Sequence, residues 1–311
     1  MIKSNSNKIS GWIILDKQSG ITSRQAVSKI SKIFNLKKIG HGGTLDPLAT
    51  GILPIALGEA TKLISFMQSK KKKYSFTIKW GESTDTDDIE GKIIAKSNSR
   101  PNKEEIQNAL VSFIGKIYQT PPNFSAIKID GVRSYNLARK NILVRHKPRQ
   151  IEVHEFTLKK ILNIDSAEFE VICGKGTYIR SLARDLAEKL NTKGHVIKLR
   201  RHFVGNFNEK DKIFIDFSEE IIHSPSILKK IIPIEKVLDD IPALFLTETE
   251  AIKIRRGQKH TLDSFKFHNN LIKEHPNYKK FERIYTISDD KIIALIEIDE
   301  GIVKPKRIIN Y

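Results

Sequence analysis

The sequence predicts an α+β fold, in which helices flank a mixed, largely antiparallel sheet and a small β-rich domain follows. Strand-like and helix-like segments mix without a regular strand–helix–strand alternation, which argues against a parallel α/β architecture. Beyond Pro242 the chain changes to basic loops and short strands, at residues 284–287 and 292–298, with no long helix. We therefore expect two domains, residues 1–240 and 241–311, and the second has an ordinary size for a small domain.

The N-terminal elements follow from apolar spacing and glycine positions. Residues 11–20 contain the apolar run 12–15 and end in a glycine, which is typical of a short buried strand followed by a turn. Thr22 offers an N-cap, and apolar residues then recur at helical spacing up to Phe34. The glycine-rich stretch Gly40–Gly51 is expected on a loop, and the alternation of residues 74–80 predicts a strand.

Two helices and one strand are predicted in the middle of the chain. A capping-box pattern at Asn102–Glu105 predicts the start of a helix with an apolar stripe up to Ile114. Residues 167–173 alternate as a strand. Residues 179–190 form the clearest amphipathic pattern of the chain, and we expect this helix to stop near Gly194.

The charge, the cysteine count and the apolar runs of the sequence limit the functions that we expect. The 311 residues include 54 Lys and Arg against 36 Asp and Glu, a net charge of +18. Such a charge favours a polyanionic partner, nucleic acid more than a membrane surface, although codon bias alone can also enrich lysine. Cys173 is the only cysteine, which excludes an internal disulfide and suits a reducing compartment. Since the apolar runs are too short to span a membrane, we expect a cytoplasmic protein.

Several common functional motifs are missing from the sequence. It contains no G-x-x-x-x-G-K-[ST], no H-E-x-x-H and no G-x-S-x-G, so a phosphate-binding loop, a zinc protease and an α/β-hydrolase are not indicated. The acidic run Asp85–Gly91 has Ile89 where a calcium loop needs an oxygen ligand. We expect neither a metal nor a cofactor.

The stretch G-H-G-G-T-L-D-P-L-A-T-G, Gly40–Gly51, carries one carboxylate, Asp46, between Leu45 and Pro47. Glycines allow a close backbone approach, and Pro47 favours an extended conformation of the residue before it. The loop can therefore hold Asp46 rigidly at the bottom of a cleft. From these residues alone, an aspartate that merely caps a turn is the alternative.

The segment Gly40–Lys62 resembles the catalytic motif of the TruB family of tRNA pseudouridine synthases. Gly42 stands where the family pattern usually has threonine. The resemblance covers residues 10–240, and beyond them Ile254–Gln258 weakly resembles the PUA domain of these enzymes. Further family motifs are matched, in chain order, by Lys72–Tyr74, Gly81–Gly91, Pro121–Lys128, Gly131–Arg139, Cys173–Arg180 and His195–Arg201.

The resemblance implies an isomerase that converts uridine 55 in the T loop of tRNA to pseudouridine without a cofactor. Asp46 would be the nucleophile, attacking either C1′ of the sugar or the uracil ring. Arg180 would keep Asp46 ionised. Tyr74 would stack on the target base and help to remove its C5 proton. The base must first be flipped out of the folded loop.

The resemblance also implies substrate-binding residues. His41 would stack into the space that the base leaves, Leu199 would form an apolar wall, and Tyr178 would orient groups beside the catalytic arginine. Two further substrate-binding positions complete the set. They are Gly43 and position 19, to which we assign a substrate-binding lysine in the turn after the first strand.

The expected partner is the T arm of tRNA, bound by a monomer without a protein partner. Two alternatives remain, a non-catalytic tRNA-binding or folding module and a pseudouridine synthase that acts on another RNA. The presence of Asp46, Tyr74 and Arg180 favours the enzyme. Phosphate contacts supply affinity rather than sequence choice. The candidates for them are Lys70–Lys73, Arg133, Arg139, Arg145, Lys147, Arg149, Arg200 and Arg201.

Overall fold

A computed structural model describes residues 9–140, 142, 144–215, 225–268, 271 and 280–310. Within these residues the chain forms one large mixed sheet of ten strands and a second sheet of five strands. Helices flank the large sheet, and the second sheet belongs to the C-terminal part of the chain. The predicted α+β class and the β-rich C-terminal end are confirmed.

The described residues form nineteen strands. These are β1 Gly11–Lys17, β2 Ile39–His41, β3 Thr50–Leu57, β4 Lys72–Trp80, β5 Glu82–Thr84, β6 Ile93–Lys96, β7 Gly115–Gln119, β8 Lys128–Ile129, β9 Val132–Arg133, β10 Arg149–Asn163, β11 Ser166–Cys173, β12 Gly194–Val204, β13 Phe207–Asn208, β14 Lys212–Ile213, β15 Ala243–Phe245, β16 His260–Thr261, β17 Lys280–Ser288, β18 Lys291–Asp299 and β19 Ile302–Ile308.

The large sheet has the strand order β14-β1-β3-β12-β4-β11-β10-β7, with β2 added to β3 and β13 added to β12. Two of its strand pairs are parallel, β1 with β14 and β3 with β12, and the others are antiparallel. The predicted strands at residues 74–80 and 167–173 lie within β4 and β11, which pair with each other. Both predicted strands are therefore interior strands of the large sheet.

Seven α-helices occur in the described residues, with 3-10 helices at Gly58–Leu63, Val111–Phe113, Ile234–Val237 and Leu262–Ser264. The fifth helix ends at Lys189, and Gly194, where we expected it to stop, instead begins β12. The α-helices are α1 Ser23–Phe34, α2 Ile64–Ser69, α3 Lys103–Leu110, α4 Ser134–Ala138, α5 Ile179–Lys189, α6 Pro225–Leu228 and α7 Glu248–Arg255.

The predicted helix starts are confirmed in their hydrogen bonds. At α1, Thr22 Oγ1 accepts from the backbone N–H of Gln25 at 3.1 Å, and Gln25 Oε1 accepts from the N–H of Thr22 at 2.8 Å. Asn102 and Glu105 form the same reciprocal pair at α3. Each pair satisfies two N–H groups that a helix start otherwise leaves without partners.

The main core lies where α3 and α5 cover one face of the sheet. Leu182 and Leu186 of α5 are fully buried in the same cluster as Phe76 of β4 and Phe169 of β11. The rings of Phe76 and Phe169 stack with centroids 5.6 Å apart. This packing fixes the first turn of α5 against the sheet, and that turn carries Arg180.

The C-terminal sheet, in the order β15-β17-β18-β19-β16, packs against the large sheet. Ile292, Leu295 and Ile309 are buried in one cluster with Trp12 of β1 and Phe66 of α2. The five-stranded sheet begins at β15, and the domain boundary between residues 240 and 241 stays a prediction. In the described part of the chain, no helix is long and apolar enough to cross a membrane.

Candidate active site

Asp46 lies on the loop between β2 and β3, and backbone hydrogen bonds hold this loop in place. The N–H of Leu45 donates to Ser23 Oγ at 2.8 Å, and Ser23 Oγ donates to the carbonyl of Leu45 at 2.9 Å. The N–H of Ala49 donates to the carbonyl of Asp46 at 3.1 Å. Leu45 and Leu48 are buried, whereas the side chain of Asp46 is 30% exposed. The loop therefore anchors its leucines and leaves its carboxylate accessible.

Arg180, in the first turn of α5, forms a bidentate ion pair with Asp46. Arg180 Nε donates to Asp46 Oδ2 at 2.9 Å, and Nη2 donates to Oδ1 at 3.0 Å. Nη1 donates to the carbonyl of Thr86 at 2.7 Å and Nη2 also to that of Phe124 at 3.0 Å. With 4% of its side chain exposed, Arg180 is locked in one orientation. The structure thus joins two residues that are 134 positions apart in the chain.

A second carboxylate, Asp88, lies beside Arg180, and sequence reasoning assigned it no role. Its Oδ2 is 3.5 Å from Arg180 Nε, and its Oδ1 accepts from Thr86 Oγ1 at 2.6 Å. Burial raises the pKa of Asp88, although Thr86 and Arg180 both act to lower it. Burial alone would lower the pKa of Arg180, but Asp46 and Asp88 raise it. The guanidinium therefore keeps its charge at neutral pH. The segment Gly81–Gly91, which matches a family motif, contains Asp88, and this match was the sequence signal that could have identified the residue.

Arg201 is not a phosphate contact, because it is buried beneath the loop with 1% of the residue exposed. Its Nε donates to the carbonyl of Ile52 at 2.7 Å, and its Nη2 donates to that of Gly43 at 3.0 Å. Its guanidinium carbon lies 6.0 Å from the centre of the Tyr74 ring. Arg201 thus connects Gly43 of the Asp46 loop and Ile52 of β3 with Tyr74 of β4. Gly43 enters the site through its backbone.

Lys72 is also buried, so its assignment as a phosphate contact is wrong too. Its Nζ donates to the carbonyls of Gln68 at 2.9 Å and Lys70 at 2.6 Å. Burial lowers the pKa of Lys72 to about 8. The other candidate phosphate contacts stay predictions, and the exposed ones among them are Lys71, Arg133, Arg139, Arg145 and Lys147.

Tyr74 and Leu199 lie on the neighbouring strands β4 and β12. Tyr74 is 7% exposed, and burial raises the pKa of its phenol, which stays protonated at neutral pH. Leu199 is 6% exposed, and its carbonyl accepts from Thr50 Oγ1, at the end of the Asp46 loop, at 3.5 Å. Both side chains are therefore attached to strands that contact the loop.

His41, on β2, has a buried Nδ1 without a hydrogen-bond partner among the described residues. Burial lowers the pKa of His41, and the charges of Arg201 and Arg133 lower it further. The imidazole is therefore neutral at pH 7. A neutral ring with one free nitrogen can stack on a base or hydrogen-bond to it.

Tyr178 caps α5 and is held through its backbone. Its N–H donates to Gln119 Oε1 at 2.8 Å, and its carbonyl accepts from Gln119 Nε2 at 3.0 Å. The guanidinium carbon of Arg149 lies 5.0 Å from the centre of the Tyr178 ring. These contacts fix the residue that precedes α5 and leave its expected role toward substrate a prediction.

The expectation of a substrate-binding lysine at position 19 is wrong, because that residue is Ser19, whose Oγ donates to the carbonyl of Leu48 at 3.1 Å. The lysine of this turn is Lys17, which is fully buried. Its Nζ donates to the carbonyls of Gln18, Ile21 and Pro47 at 2.8, 2.8 and 3.1 Å. Burial lowers the pKa of Lys17 to about 8, although the charge of Asp46 acts to raise it. Lys17 therefore binds the backbone of the Asp46 loop at Pro47.

Two protein-family models match this chain. A model described as the N-terminal domain of TruB family pseudouridylate synthases matches residues 31–179, and a model of the tRNA pseudouridylate synthase B C-terminal domain matches residues 180–239. The chain belongs to the TruB family. A relative from Bradyrhizobium diazoefficiens, named tRNA pseudouridine synthase B, is 43% identical and covers 99% of this chain and 88% of its own length. A relative of the same name from Caulobacter sp. is 42% identical over 96% of both chains.

Solved structures show the same fold. A chain from a Cbf5-Nop10-Gar1 complex superposes with a TM-score of 0.73 at 24% identity, over 96% of this chain and 85% of the other. A chain from an H/ACA RNP bound to a substrate RNA gives a TM-score of 0.70 at 22% identity, over 97% and 85% of the two chains. At these identities the likeness concerns the fold alone. In the described residues, no three His, Cys, Asp or Glu side chains are placed to hold a metal ion.

Proposed function

We propose that this TruB family member converts uridine 55 in the T loop of tRNA to pseudouridine, with Asp46 as the nucleophile. The names of its relatives supply the substrate class. The bidentate ion pair between Asp46 and Arg180 is the observation that carries the proposal. A guanidinium in contact with a carboxylate favours its ionised form, and only that form is nucleophilic.

The isomerisation needs no second substrate. The bond between N1 and C1′ breaks, a bond between C5 and C1′ forms, C5 loses a proton and N1 gains one. Asp46 attacks either C1′ or the uracil ring and holds the intermediate while the base turns. Because burial keeps the phenol of Tyr74 protonated, stacking on the base is better supported for Tyr74 than removal of the C5 proton.

A base that is stacked inside the folded T loop cannot reach Asp46, so the base must be everted. Unstacking a base costs on the order of a few kcal/mol. A neutral His41 ring that enters the vacated stack offsets part of this cost. Leu199 then forms an apolar wall against the base. The net charge of +18 supports binding to the phosphate backbone of a folded RNA.

The nucleophile is tested with the Asp46→Asn variant. We expect no pseudouridine in a tritium-release assay on a tRNA transcript, because an amide neither attacks nor pairs with Arg180. Transcript affinity should stay within about twofold of the wild type, since phosphate contacts dominate affinity. Asp263→Asn, at an exposed site of the C-terminal sheet region, is the matched control and should react normally. Turnover by Asp46→Asn would disprove the assignment.

The substrate is tested by mapping pseudouridine in tRNA and other cellular RNA treated with the purified wild-type protein. Modification at residue 55 of tRNA supports the proposal. Modification of another RNA alone would indicate a synthase of different specificity. Binding of tRNA without any pseudouridine would indicate a non-catalytic tRNA-binding or folding module.

We further propose that residues 1–240 form the catalytic domain and residues 241–311 a PUA-like RNA-binding domain. The protein would act in the cytoplasm as a monomer without a protein partner. Light scattering of the purified chain, alone and with tRNA, tests the oligomeric state. Activity of the purified chain alone tests the need for a partner.

A further inference from the structure

A second arginine of α5 forms an ion pair directly beside that of Arg180. Arg184 follows Arg180 by four residues, so the two side chains lie on the same helix face one turn apart. Arg184 Nη1 donates to Asp87 Oδ2 at 2.8 Å. Asp87 precedes Asp88, whose carboxylate lies beside Arg180. Two adjacent ion pairs therefore join α5 to residues 84–91, which we call the acidic turn.

Asp87 is held in an unusual backbone conformation within the acidic turn. Its φ is 60°, in the left-handed region that few residues other than glycine adopt. Its carbonyl accepts from the N–H of Val196 on β12 at 3.1 Å. Thr84 Oγ1 donates to the carbonyl of Asp88 at 2.6 Å. The turn is thus anchored at both aspartates, and an uncommon conformation maintained in this way is a feature of functional sites.

Arg184 also contacts the segment that follows β7. Its Nη2 donates to the carbonyl of Thr120 at 2.8 Å, and Ser181 Oγ donates to the same carbonyl at 2.9 Å. Phe124, four residues further along, supplies a carbonyl that accepts from Arg180 Nη2. Arg184 therefore binds both neighbours of the Arg180 guanidinium, namely the acidic turn and the segment that starts at Thr120.

We propose that Arg184 and Asp87 are positioning residues, which fix the acidic turn and the Thr120 segment so that the guanidinium of Arg180 faces Asp46. The proposal rests on the proposed function. Arg180 has a rigid set of donors, and each of its partners must be placed accurately for the two bonds to Asp46 to form. A misplacement of about 1 Å at a catalytic group can lower a rate by about 100-fold.

A role in stability alone fits the pair less well. The side chains of Arg184 and Asp87 are 21% and 12% exposed. Burial raises the pKa of Asp87 to about 6, although Arg184 and Arg180 act to lower it. A carboxylate with a raised pKa disfavours folding once it is ionised, so the charge of Asp87 costs stability at pH 8. We therefore expect Asp87→Asn to unfold at the same or a higher urea concentration than the wild type at that pH.

The experiment compares single-turnover rates of pseudouridine formation with tRNA affinities at pH 8. Asp87→Asn and Arg184→Gln should each lower the rate by about tenfold or more and leave the affinity within about twofold. The double variant should be no slower than the slower single variant, because each substitution breaks the same link. Arg184→Lys, which keeps the charge, should recover part of the rate.

Asp185→Asn is the matched control. Asp185 Oδ1 accepts from Arg184 Nε at 2.9 Å, so this change removes a charge from the same guanidinium without affecting the acidic turn. Its rate should stay within about twofold of the wild type. An equal loss in Asp185→Asn and Asp87→Asn would show that Arg184 needs neutralisation in general, and would overturn the proposal.

The pH profile gives a readout that a purely structural role would not change. The charged groups that face Asp87 are Arg180, Arg184 and Asp185 of α5, beside Asp88 of its own turn. The wild-type rate should fall as the pH drops through about 6, because Asp87 takes up a proton and releases Arg184. Asp87→Asn should lack this step. The same acid limb in both proteins would overturn the proposal.

The outcomes separate the two proposals. Rates of Asp87→Asn and Arg184→Gln within about twofold of an active wild type reject the positioning role and leave the proposed function intact. An inactive wild type rejects the proposed function. The crystal structure of Asp87→Asn then decides on positioning, because retention of both bonds between Arg180 and Asp46 would overturn it and their loss would support it. If Arg184→Gln does not fold, Asp87→Asn carries the test alone.

Discussion

Three buried cations hold the loop of Asp46, each in a different way. Lys17 donates to the carbonyl of Pro47. Arg201 donates to the carbonyls of Gly43 in the loop and Ile52 in β3. Arg180 binds the carboxylate of Asp46 itself. Cations that donate to backbone carbonyls satisfy groups that a buried loop would otherwise leave without partners. The position of Asp46 therefore depends on side chains from β1, β12 and α5.

Replacement of Arg201 by lysine should destabilise the fold. Arg201 donates from two separate nitrogens, Nε to Ile52 and Nη2 to Gly43. The donors of a lysine all sit on one nitrogen and do not reproduce this planar spacing, so we expect one buried carbonyl to lose its partner at a cost of about 1–3 kcal/mol. Urea unfolding of Arg201→Lys should show a fall of this size in the free energy of unfolding. Arg200→Lys is the control, because Arg200 is 29% exposed and pairs with Asp16, and it should cost less than about 1 kcal/mol.

Sequence reasoning identified Asp46, Arg180 and Tyr74 through one long family motif and two shorter ones. It could not separate Arg200 from Arg201. Adjacent residues of a strand point to opposite faces, so only the pairing of β12 shows that Arg201 faces the loop. A residue that binds phosphate and a buried residue that binds backbone carbonyls both need a long cationic side chain. Their sequence patterns are therefore alike.

Among the secondary-structure elements, helix starts were predictable and several strands were not. The caps at Thr22 and Asn102 depend on residues three positions apart, so they are visible locally. β10 and β12 depend on distant partners, and register shifts, as between Leu158 and Lys160 of β10, interrupt the alternation that marks a strand. β3 is buried along nearly its whole length, so its apolar run does not alternate at all.

The junction of the Asp46 loop with β3 requires glycine at position 51. Gly51 has a φ of +100°, and a Cβ there would lie 2.2 Å from the carbonyl oxygen of Arg201. Gly51→Ala should therefore lower the free energy of unfolding by about 2 kcal/mol or more. At Gly174 a Cβ would have its nearest neighbours at 3.6 Å. Gly174→Ala is the matched control, and an equal loss in both variants would argue against the steric explanation.

At the scale of the whole molecule, polar contacts as well as an apolar cluster join the C-terminal sheet to the part of the chain that carries the large sheet. Glu59, 13% exposed in its side chain, accepts from the N–H of Asn310 at 2.8 Å and pairs with Lys38 and Lys62. Lys62 also contacts the carbonyl of Ile308. Glu59 therefore connects the 3-10 helix after β3 with Asn310, just beyond the last strand β19.

This contact predicts an acid-sensitive contribution to stability. Burial acts to raise the pKa of Glu59, but Asn310, Lys38 and Lys62 together lower it to about 2. A lowered pKa stabilises the fold above about pH 4.5 and is lost as the pH falls toward 2. Glu59→Gln should thus be less stable by about 1–3 kcal/mol at pH 7, and the difference should shrink below pH 4.5.

Urea titrations at several pH values measure this difference. Glu297→Gln removes the exposed pair with Lys306 and should cost less than about 1 kcal/mol at every pH. A constant difference between Glu59→Gln and the wild type from pH 7 to pH 3 would contradict the explanation by charge.

The large sheet consists of two blocks of strands that meet where β3 runs beside β12. This contact comprises two residue pairs, Arg200 with Thr50 and Arg201 with Gly51, whereas β1 and β3 share seven pairs and β12 and β4 share nine. A torsional motion of one block against the other would concentrate at this short seam, directly at the base of the Asp46 loop. The amide protons of the seam should therefore exchange with deuterium sooner than those inside either block.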